Sequence, residues 1–241
     1  TRALKGLEPA ISVAIVRPDS AGVWQFDRPL AGCTHVPALY ELAQPAYRGR
    51  TTVPIVWDSL TRTIVNNESS EIITFLNSEF NPIARYPDRD LYPADLAPEI
   101  DRWNDTIYTT VNNGVYRCGF AQSQAAYDRA CAELFASLAA IDRVLAAQAY
   151  LCGDRVTLAD VRLFTTLIRF DLVYYGLFKC NLRRIQDYDH LSRYLQQVYD
   201  LPGVAETCDF VTIKRDYYGS LFPLNPGGII PIGPESFVRK N

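Results

Sequence analysis

Histidine is nearly absent from this chain: His35 and His190 are the two present in 241 residues. A metal centre built on imidazoles is therefore excluded as a working reading, and no Cys-x-x-Cys pair offers a thiolate substitute. Charge of one sign is also lacking. The 24 lysines and arginines stand against 27 aspartates and glutamates, a net −3, which leaves no footprint for nucleic acid or an anionic membrane surface. No apolar run approaches the length that spans a bilayer, no secretory leader is visible, and no internal repeat is found. The starting point is a metal-free cytoplasmic protein.

What is present is ordinary for a globular chain: 48% hydrophobic and 21% charged residues, with length enough for two domains. The six cysteines (Cys33, Cys118, Cys131, Cys152, Cys180, Cys208) are scattered. Cys131 falls on a helical apolar stripe, which predicts a buried reduced thiol and not a disulfide.

The most informative stretch is Val53 to Ile73, VPIVWDSLTRTIVNNESSEII. It reads as a strand opening at Val53-Pro54, a turn over Asp58–Arg62, a second strand at Thr63–Val65, and a helix whose first turn carries Glu68 and Ser69. A helix start turns unpaired N–H groups outward, which suits a ligand carboxylate. A Val-Pro strand opening offers a backbone edge to a peptide. A small acidic peptide is the ligand this pattern predicts.

Residues 1–9 read as the end of an amphipathic helix stopped near Gly6, and Ile11–Val16 as a short buried strand. An irregular stretch with Trp24 and Phe26 follows, then a short helix near Pro37–Ala43. Beginning in mid-helix suggests that a first strand and half a helix are absent from the chain as given. The Pro- and Asp-rich run from Asn81 to Pro98 reads as a linker, and beyond it the pattern is helical. Leu96, Ile100, Trp103, Ile107 and Val111 mark one helix, ended by Asn112-Asn113-Gly114. A second runs over Ser123–Ala147. Thr157-Leu-Ala-Asp160 has the form of a capping box, with Val156 and Val161 as its staple, before a helix apolar nearly all round. Arg162, Arg169 and Asp171 on that helix need partners if buried. A further helix covers His190–Leu201, and a Pro/Gly-rich arm begins near Tyr217.

Several runs, in order and over nearly the whole chain, resemble the glutathione transferases, and among them the glutathionyl-hydroquinone reductases of the Xi class. They include Val53-Pro54 with Trp57-Asp58, Thr63–Ile73, Asn112–Tyr116, Gly119-Phe120-Ala121, Arg169-Phe170-Asp171, Phe178–Arg184, Leu201–Thr207 and Tyr217–Ser220. The TIVNNESSEII and FKCNLRR runs are specific; Val-Pro and Gly-Asp-x-x-Thr-x-Ala-Asp mark only the superfamily. The resemblance implies an α+β two-domain fold: a thioredoxin-like glutathione-binding domain over 1–81, incomplete at its N-terminus, a linker over 82–98, an all-helical domain over 99–216 and an arm over 217–241. It implies glutathione as cosubstrate, no metal, a homodimer, and reduction of glutathionyl-hydroquinones by a cysteine thiolate through a mixed disulfide. In the family that cysteine precedes the segment matching Lys5-Gly6-Leu7-Glu8, so it is expected before Thr1, and no cysteine present takes its role. An omega-like thioltransferase or dehydroascorbate reductase, or a non-catalytic glutathione- or quinone-binding protein, are the alternatives.

Carried onto this sequence, the resemblance points to Trp24, Arg50, Val53, Pro54, Glu68 and Ser69 for glutathione, with Val53 pairing its backbone and Pro54 in cis. Against each stands an ordinary structural role: strand start, helix cap, surface arginine or hydrophobic plug. The aromatic substrate is assigned to Tyr116, just past a helix end, and to Tyr174, with core packing as the alternative. A phenol there can hydrogen-bond a quinol oxygen and supply a proton as the ring leaves. Leu177 makes the pocket apolar, a basic residue usual at the position of Leu42 is missing, and Cys180 lies far from any expected helix start. Lys179, Arg183 and Arg184 are read as structural or interface ion-pairing residues, and His190 as a surface residue at a helix start.

Overall fold

The structure is a computed structural model in which residues 1–19, 21–221 and 224–235 are described. The chain divides into two compact units, the smaller formed by Leu4–Asp88 with Arg2 and the larger by the chain from Arg89 onward with Thr1 and Ala3.

The smaller unit opens at α1 (Arg2–Lys5), ended by Gly6 at φ +65°. Glycine is required there twice over: the conformation is left-handed, and a Cβ would stand 2.6 Å from that of Arg85. An antiparallel sheet follows in the order β1 (Val16–Pro18), β2 (Trp24–Leu30) and β3 (Cys33–His35). Two expectations are corrected here. Ile11–Val16 is not a buried strand, since Val13 and Ile15 are 58% and 51% exposed. Apolar character favours burial, but a neighbour has to supply it, and β2 reaches only Val16–Pro18 and the Ile15 carbonyl, which accepts from the Asp27 N–H at 3.0 Å. Conversely, Trp24–Leu30 is a strand and not an irregular stretch, tied across β1 by an Arg17–Asp27 ion pair at 3.2 Å.

Helix α2 (Val36–Ala43) is capped by His35, whose Nδ1 accepts from the Ala38 N–H at 3.1 Å. After it come the cis Val53-Pro54 bond, β4 (Val56–Asp58), β5 (Thr63–Asn66) and α3 (Ser69–Ser78). The strand expected to open at Val53 starts instead at Val56, because a prolyl nitrogen has no hydrogen to give the ladder. The turn between the strands forms around Asp58, whose carboxylate accepts from the Leu60 N–H (2.8 Å), the Thr61 N–H (3.3 Å) and the Thr61 hydroxyl (2.7 Å). Leu7, Ile72 and Leu76 form one buried cluster of this unit, with Ile11, Val56 and Phe75 packed on it, and Val36, Leu39 and Tyr40 on α2 are buried as well.

The expected linker is shared between the units. Arg85 and Tyr86 donate their N–H groups to Gly6 and Lys5, whereas Leu91 is fully buried in the larger unit and accepts from the Leu158 N–H at 2.8 Å. Helix α4 (Ala97–Ile107) then runs through a π-helical turn (Tyr108–Asn112) into α5 (Asn113–Gly119). The expected stop at Asn112-Asn113-Gly114 does not occur. The Asn112 amide donates to the Thr166 hydroxyl (2.6 Å) and the Arg162 carbonyl (3.1 Å), and Gly114 lies buried against Leu134. Asn-Gly ends a helix only when it turns left-handed, and these contacts hold it helical. Tyr116 is accordingly inside α5 and not past a helix end.

Helix α6 (Gln124–Leu145) starts at its Ser123 cap and buries Cys131, Leu134, Leu138, Ile141 and Leu145. Helix α7 (Leu158–Arg169) opens with the predicted capping box, and a second π-helical turn (Phe170–Tyr174) extends it. Asp160, fully buried, accepts from the Leu151 N–H, the Thr157 N–H and hydroxyl, and the Tyr194 hydroxyl, all within 3.0 Å. Asp171 accepts from the N–H groups of Ile185 (2.7 Å) and Gln186 (3.1 Å), while Arg169 donates to the Thr165 carbonyl.

Helices α8 (Asp189–Tyr199) and α9 (Phe210–Ser220) complete the unit. Tyr217–Ser220 finish α9 and do not begin an arm. The arm that follows is held by the buried Lys214, whose ammonium donates to the carbonyls of Ile232 (2.7 Å) and Pro234 (3.3 Å). Residues 222, 223 and 236–241 of the expected arm lie outside the described residues. Among the described residues no helix is long and apolar enough to cross a membrane.

Candidate functional site

In the smaller unit, Val53 and Pro54 lie exposed in the bend before β4, with Val53 37% accessible, and the peptide bond between them is cis as expected. Glu68 is the N-cap of α3: its carboxylate accepts from the Ser70 N–H (3.2 Å) and hydroxyl (3.0 Å), and its own N–H donates to the Asn66 side-chain oxygen (2.6 Å). Ser69 is the first residue of that helix and is exposed. The aligned N–H groups and positive end of the helix dipole at this point suit a carboxylate.

Val53 and Glu68 are brought into one region by hydrogen bonds between their neighbours, since the Asn67 amide donates to the Thr52 hydroxyl at 3.1 Å. Arg50 is exposed; its carbonyl accepts from the Tyr47 hydroxyl at 3.0 Å, and its guanidinium has no acidic partner among the described residues. Trp24 begins β2, half-buried opposite Pro18, and among the described residues no hydrogen bond or ring contact joins it to the other candidates.

In the larger unit, three tyrosines from three distant segments meet. Tyr116 on α5 and Tyr174 at the end of the second π turn both place their hydroxyls on that of Tyr217 on α9, at 2.7 and 2.9 Å. Phe178 packs beneath them, its ring centroid 5.2 Å from Tyr116 and from Tyr174 and 6.1 Å from Tyr217. Phe120 lies parallel to Tyr116 at 6.4 Å. Tyr174 is buried and Tyr116 is 40% exposed, so the group has an accessible edge and a dry interior. Burial, then the adjacent Tyr217 oxygen, holds both phenols well above the usual tyrosine range, against a smaller opposing pull from Arg169. They stay protonated donors at neutral pH. Gly119 makes the packing possible: a Cβ there would stand 2.5 Å from the Phe178 ring.

Tyr217, Phe178 and Phe120 were not among the sequence candidates for this site. Tyr217 lies 101 residues from Tyr116, and no local spacing connects them; the sequence pattern places Tyr217 at the start of a Pro/Gly-rich arm. Leu177 is buried. Arg184 pairs with Asp187 at 2.9 Å and Arg183 stacks 4.0 Å over Tyr188, both structural roles. His190 donates its N–H to Asp142 at 3.0 Å, at the start of α8.

Cys118, Cys131, Cys152 and Cys180 are buried, and Cys33 and Cys208 half-buried. None sits in the first turn of a helix, where a thiolate is stabilised. Cys180 is held well above the ordinary thiol range by its contact with Cys118 and by burial, and burial pushes Cys152 up to about 11. Among the described residues no group of three or more His, Cys, Asp or Glu is placed to hold a metal ion.

This pairing of a unit carrying a cis-proline bend and a capped helix start with a second, all-helical unit is that of a glutathione transferase. The family model described as glutathione S-transferase, C-terminal domain, matches residues 124–197. The chain is 47% identical over 241 residues to the glutathionyl-hydroquinone reductase PcpF of Sphingobium chlorophenolicum, covering 97% of this chain and 77% of that protein. Among solved structures, glutathione-bound YqjG of Escherichia coli K-12, a glutathione transferase homologue, superposes with TM-score 0.90 at 48% identity, over 97% of this chain and 78% of that one. The Xi glutathione transferase of Phanerochaete chrysosporium does so with TM-score 0.92 at 46% identity, over 97% and 79%. The chain belongs to the glutathionyl-hydroquinone reductases, the Xi-class glutathione transferases.

Proposed function

We propose that this protein reduces glutathionyl-hydroquinones to free hydroquinones, consuming glutathione and yielding glutathione disulfide. The observation that carries the reading is the triad of phenols around Tyr217, with an aromatic floor at Phe178. An aromatic diol matches both features: its ring stacks on aromatic side chains and its oxygens pair with hydroxyls. Tyr116, the accessible member, donates to the quinol oxygen and so stabilises the electron pair the ring carries away as its carbon–sulfur bond breaks, and the ring carbon then takes up a proton. Tyr217 and Tyr174 keep that phenol oriented and protonated.

Glutathione is assigned to the smaller unit. The Val53 backbone, with Pro54 holding the bend, pairs with the cysteinyl moiety, and Glu68 and Ser69 receive the γ-glutamyl end. Arg50 offsets a carboxylate, and Trp24 lies against the tripeptide. The reaction needs a thiolate to attack the glutathionyl sulfur, displacing the hydroquinone and leaving a mixed disulfide that a second glutathione resolves. We give that role to none of the six cysteines numbered here.

We further place the protein in the cytoplasm, as a homodimer. Six unpaired cysteines support a reducing compartment. Light scattering that returns a monomer removes the dimer.

The full-length protein, supplied with glutathione and glutathionyl-menadiol, will release free menadiol with matching glutathione disulfide. Absence of glutathione-dependent release overturns the assignment. Dehydroascorbate reduction without quinol release would move it to the omega-like thioltransferases.

A further inference from the structure

The two segments given to glutathione come from separate places in the smaller unit, the bend before β4 and the start of α3. One phenol stands between them. Tyr40, on α2 and 4% exposed, donates its hydroxyl hydrogen to the Thr52 carbonyl at 3.0 Å. The same oxygen accepts from the Thr52 N–H at 3.3 Å and from the Asn67 amide at 2.8 Å. A phenol has one donor and two acceptor positions, so all three are used. The Asn67 amide reaches the Thr52 hydroxyl as well, at 3.1 Å. Thr52 immediately precedes Val53, and Asn67 immediately precedes Glu68. The Tyr40 ring also packs against Tyr47 at 5.0 Å, and the Tyr47 hydroxyl donates to the Arg50 carbonyl at 3.0 Å.

Thr52 and Asn67 are exposed, so these bonds shelter little polar surface from water. What they determine is the distance between two exposed segments. A tripeptide bound by the Val53 backbone at its middle and by the α3 start at one end needs that distance held before it arrives, since ordering two loose segments on binding costs affinity. We infer that Tyr40 and Asn67 are positioning residues for glutathione, spacing Val53 from the Glu68–Ser69 helix start without touching the ligand. The inference rests on the glutathione reading of that region.

Calorimetric titration of the full-length protein with glutathione tests it, using Tyr40→Phe, Asn67→Ala and Thr52→Val. Losing three of these bonds in Tyr40→Phe, or two in Asn67→Ala, should weaken glutathione binding about five- to tenfold, and the loss should be smaller in Thr52→Val, which keeps the backbone bonds to Tyr40. The double variant Tyr40→Phe/Asn67→Ala should lose less than the product of the single losses, because both break one network. In turnover, KM for glutathione should rise in parallel, while KM for the glutathionyl-hydroquinone and kcat at saturating glutathione stay within about twofold.

Glutathione affinity unchanged in the variants, with or without a lowered melting temperature, overturns the positioning role and leaves the glutathione site standing. A wild-type protein that fails to bind glutathione overturns both. If Tyr40→Phe does not fold, Asn67→Ala and Thr52→Val decide the same role with the phenol in place.

Discussion

Tyr116 and Tyr217, 101 residues apart in the chain, hold their phenol oxygens 2.7 Å from each other. One of the two must donate, and Tyr217 also meets Tyr174 at 2.9 Å, so a change at any hydroxyl reorders the protons of the other two.

Removing the central hydroxyl should therefore cost more than its one oxygen suggests. Tyr217→Phe keeps the ring and its edge contacts with Tyr174 and Phe178, and it leaves Tyr116 without its partner. Quinol release should slow about 100-fold, the lower end of what a proton donor contributes. The melting temperature should stay near wild type. Single-turnover release of hydroquinone measures it, with glutathione affinity as the unaffected control.

The aromatic floor depends on a missing methyl group. Gly119→Ala would bring a Cβ within 2.5 Å of the Phe178 ring, which is fully buried and cannot yield outward. Destabilisation of about 1–3 kcal/mol follows from overpacking. The same shift should weaken aromatic-substrate binding. Chemical denaturation and KM for the glutathionyl-hydroquinone are the two readouts.

Alkaline pH offers a check on the phenols. Burial raises the Tyr116 and Tyr174 values above the ordinary 10.0. A raised folded-state value means that the protonated form is favoured in the fold. The stability so contributed is complete below about pH 10 and is lost as pH rises towards the folded-state values. Unfolding free energy should thus be insensitive to these tyrosines' titration near neutrality and fall above pH 10. Tyr174→Phe should reduce that fall. Denaturation across an alkaline series, with the phenolate absorbance followed in parallel, decides it.

Asp160 ties three segments of the larger unit together. Asp160→Ala would strand the Leu151 and Thr157 N–H groups and the Thr157 and Tyr194 hydroxyls in a fully buried setting. A loss of about 3 kcal/mol or more is expected, enough to threaten folding at growth temperature. Asn at the same position keeps one acceptor and should recover part of it. Thermal melting of both variants orders them.

Local signals were legible in the sequence wherever a residue's neighbours in the chain decide its state. The Thr157–Asp160 capping box, the α6 stripe and the Glu68-capped start of α3 are all of this kind, because helix caps and periodicity act over three or four residues. The glutathione candidates came mostly from one such segment. Partners from elsewhere in the chain decided the rest. Ile11–Val16 has a strand's composition and lacks a neighbour to bury Val13 and Ile15, and Asn112-Asn113-Gly114 has a stop signal that a hydrogen bond from the Asn112 amide to α7 overrides. Tyr217 joined Tyr116 and Tyr174 only through the packing of α9, and Tyr40 reached Thr52 and Asn67 only through the placing of α2 beside two loops. By itself the sequence determined the family, the α6 and α7 helices and the start of α3. The tertiary structure alone decided which hydroxyls share protons, because hydrogen bonds act over about 3 Å of space and take no account of the residues between.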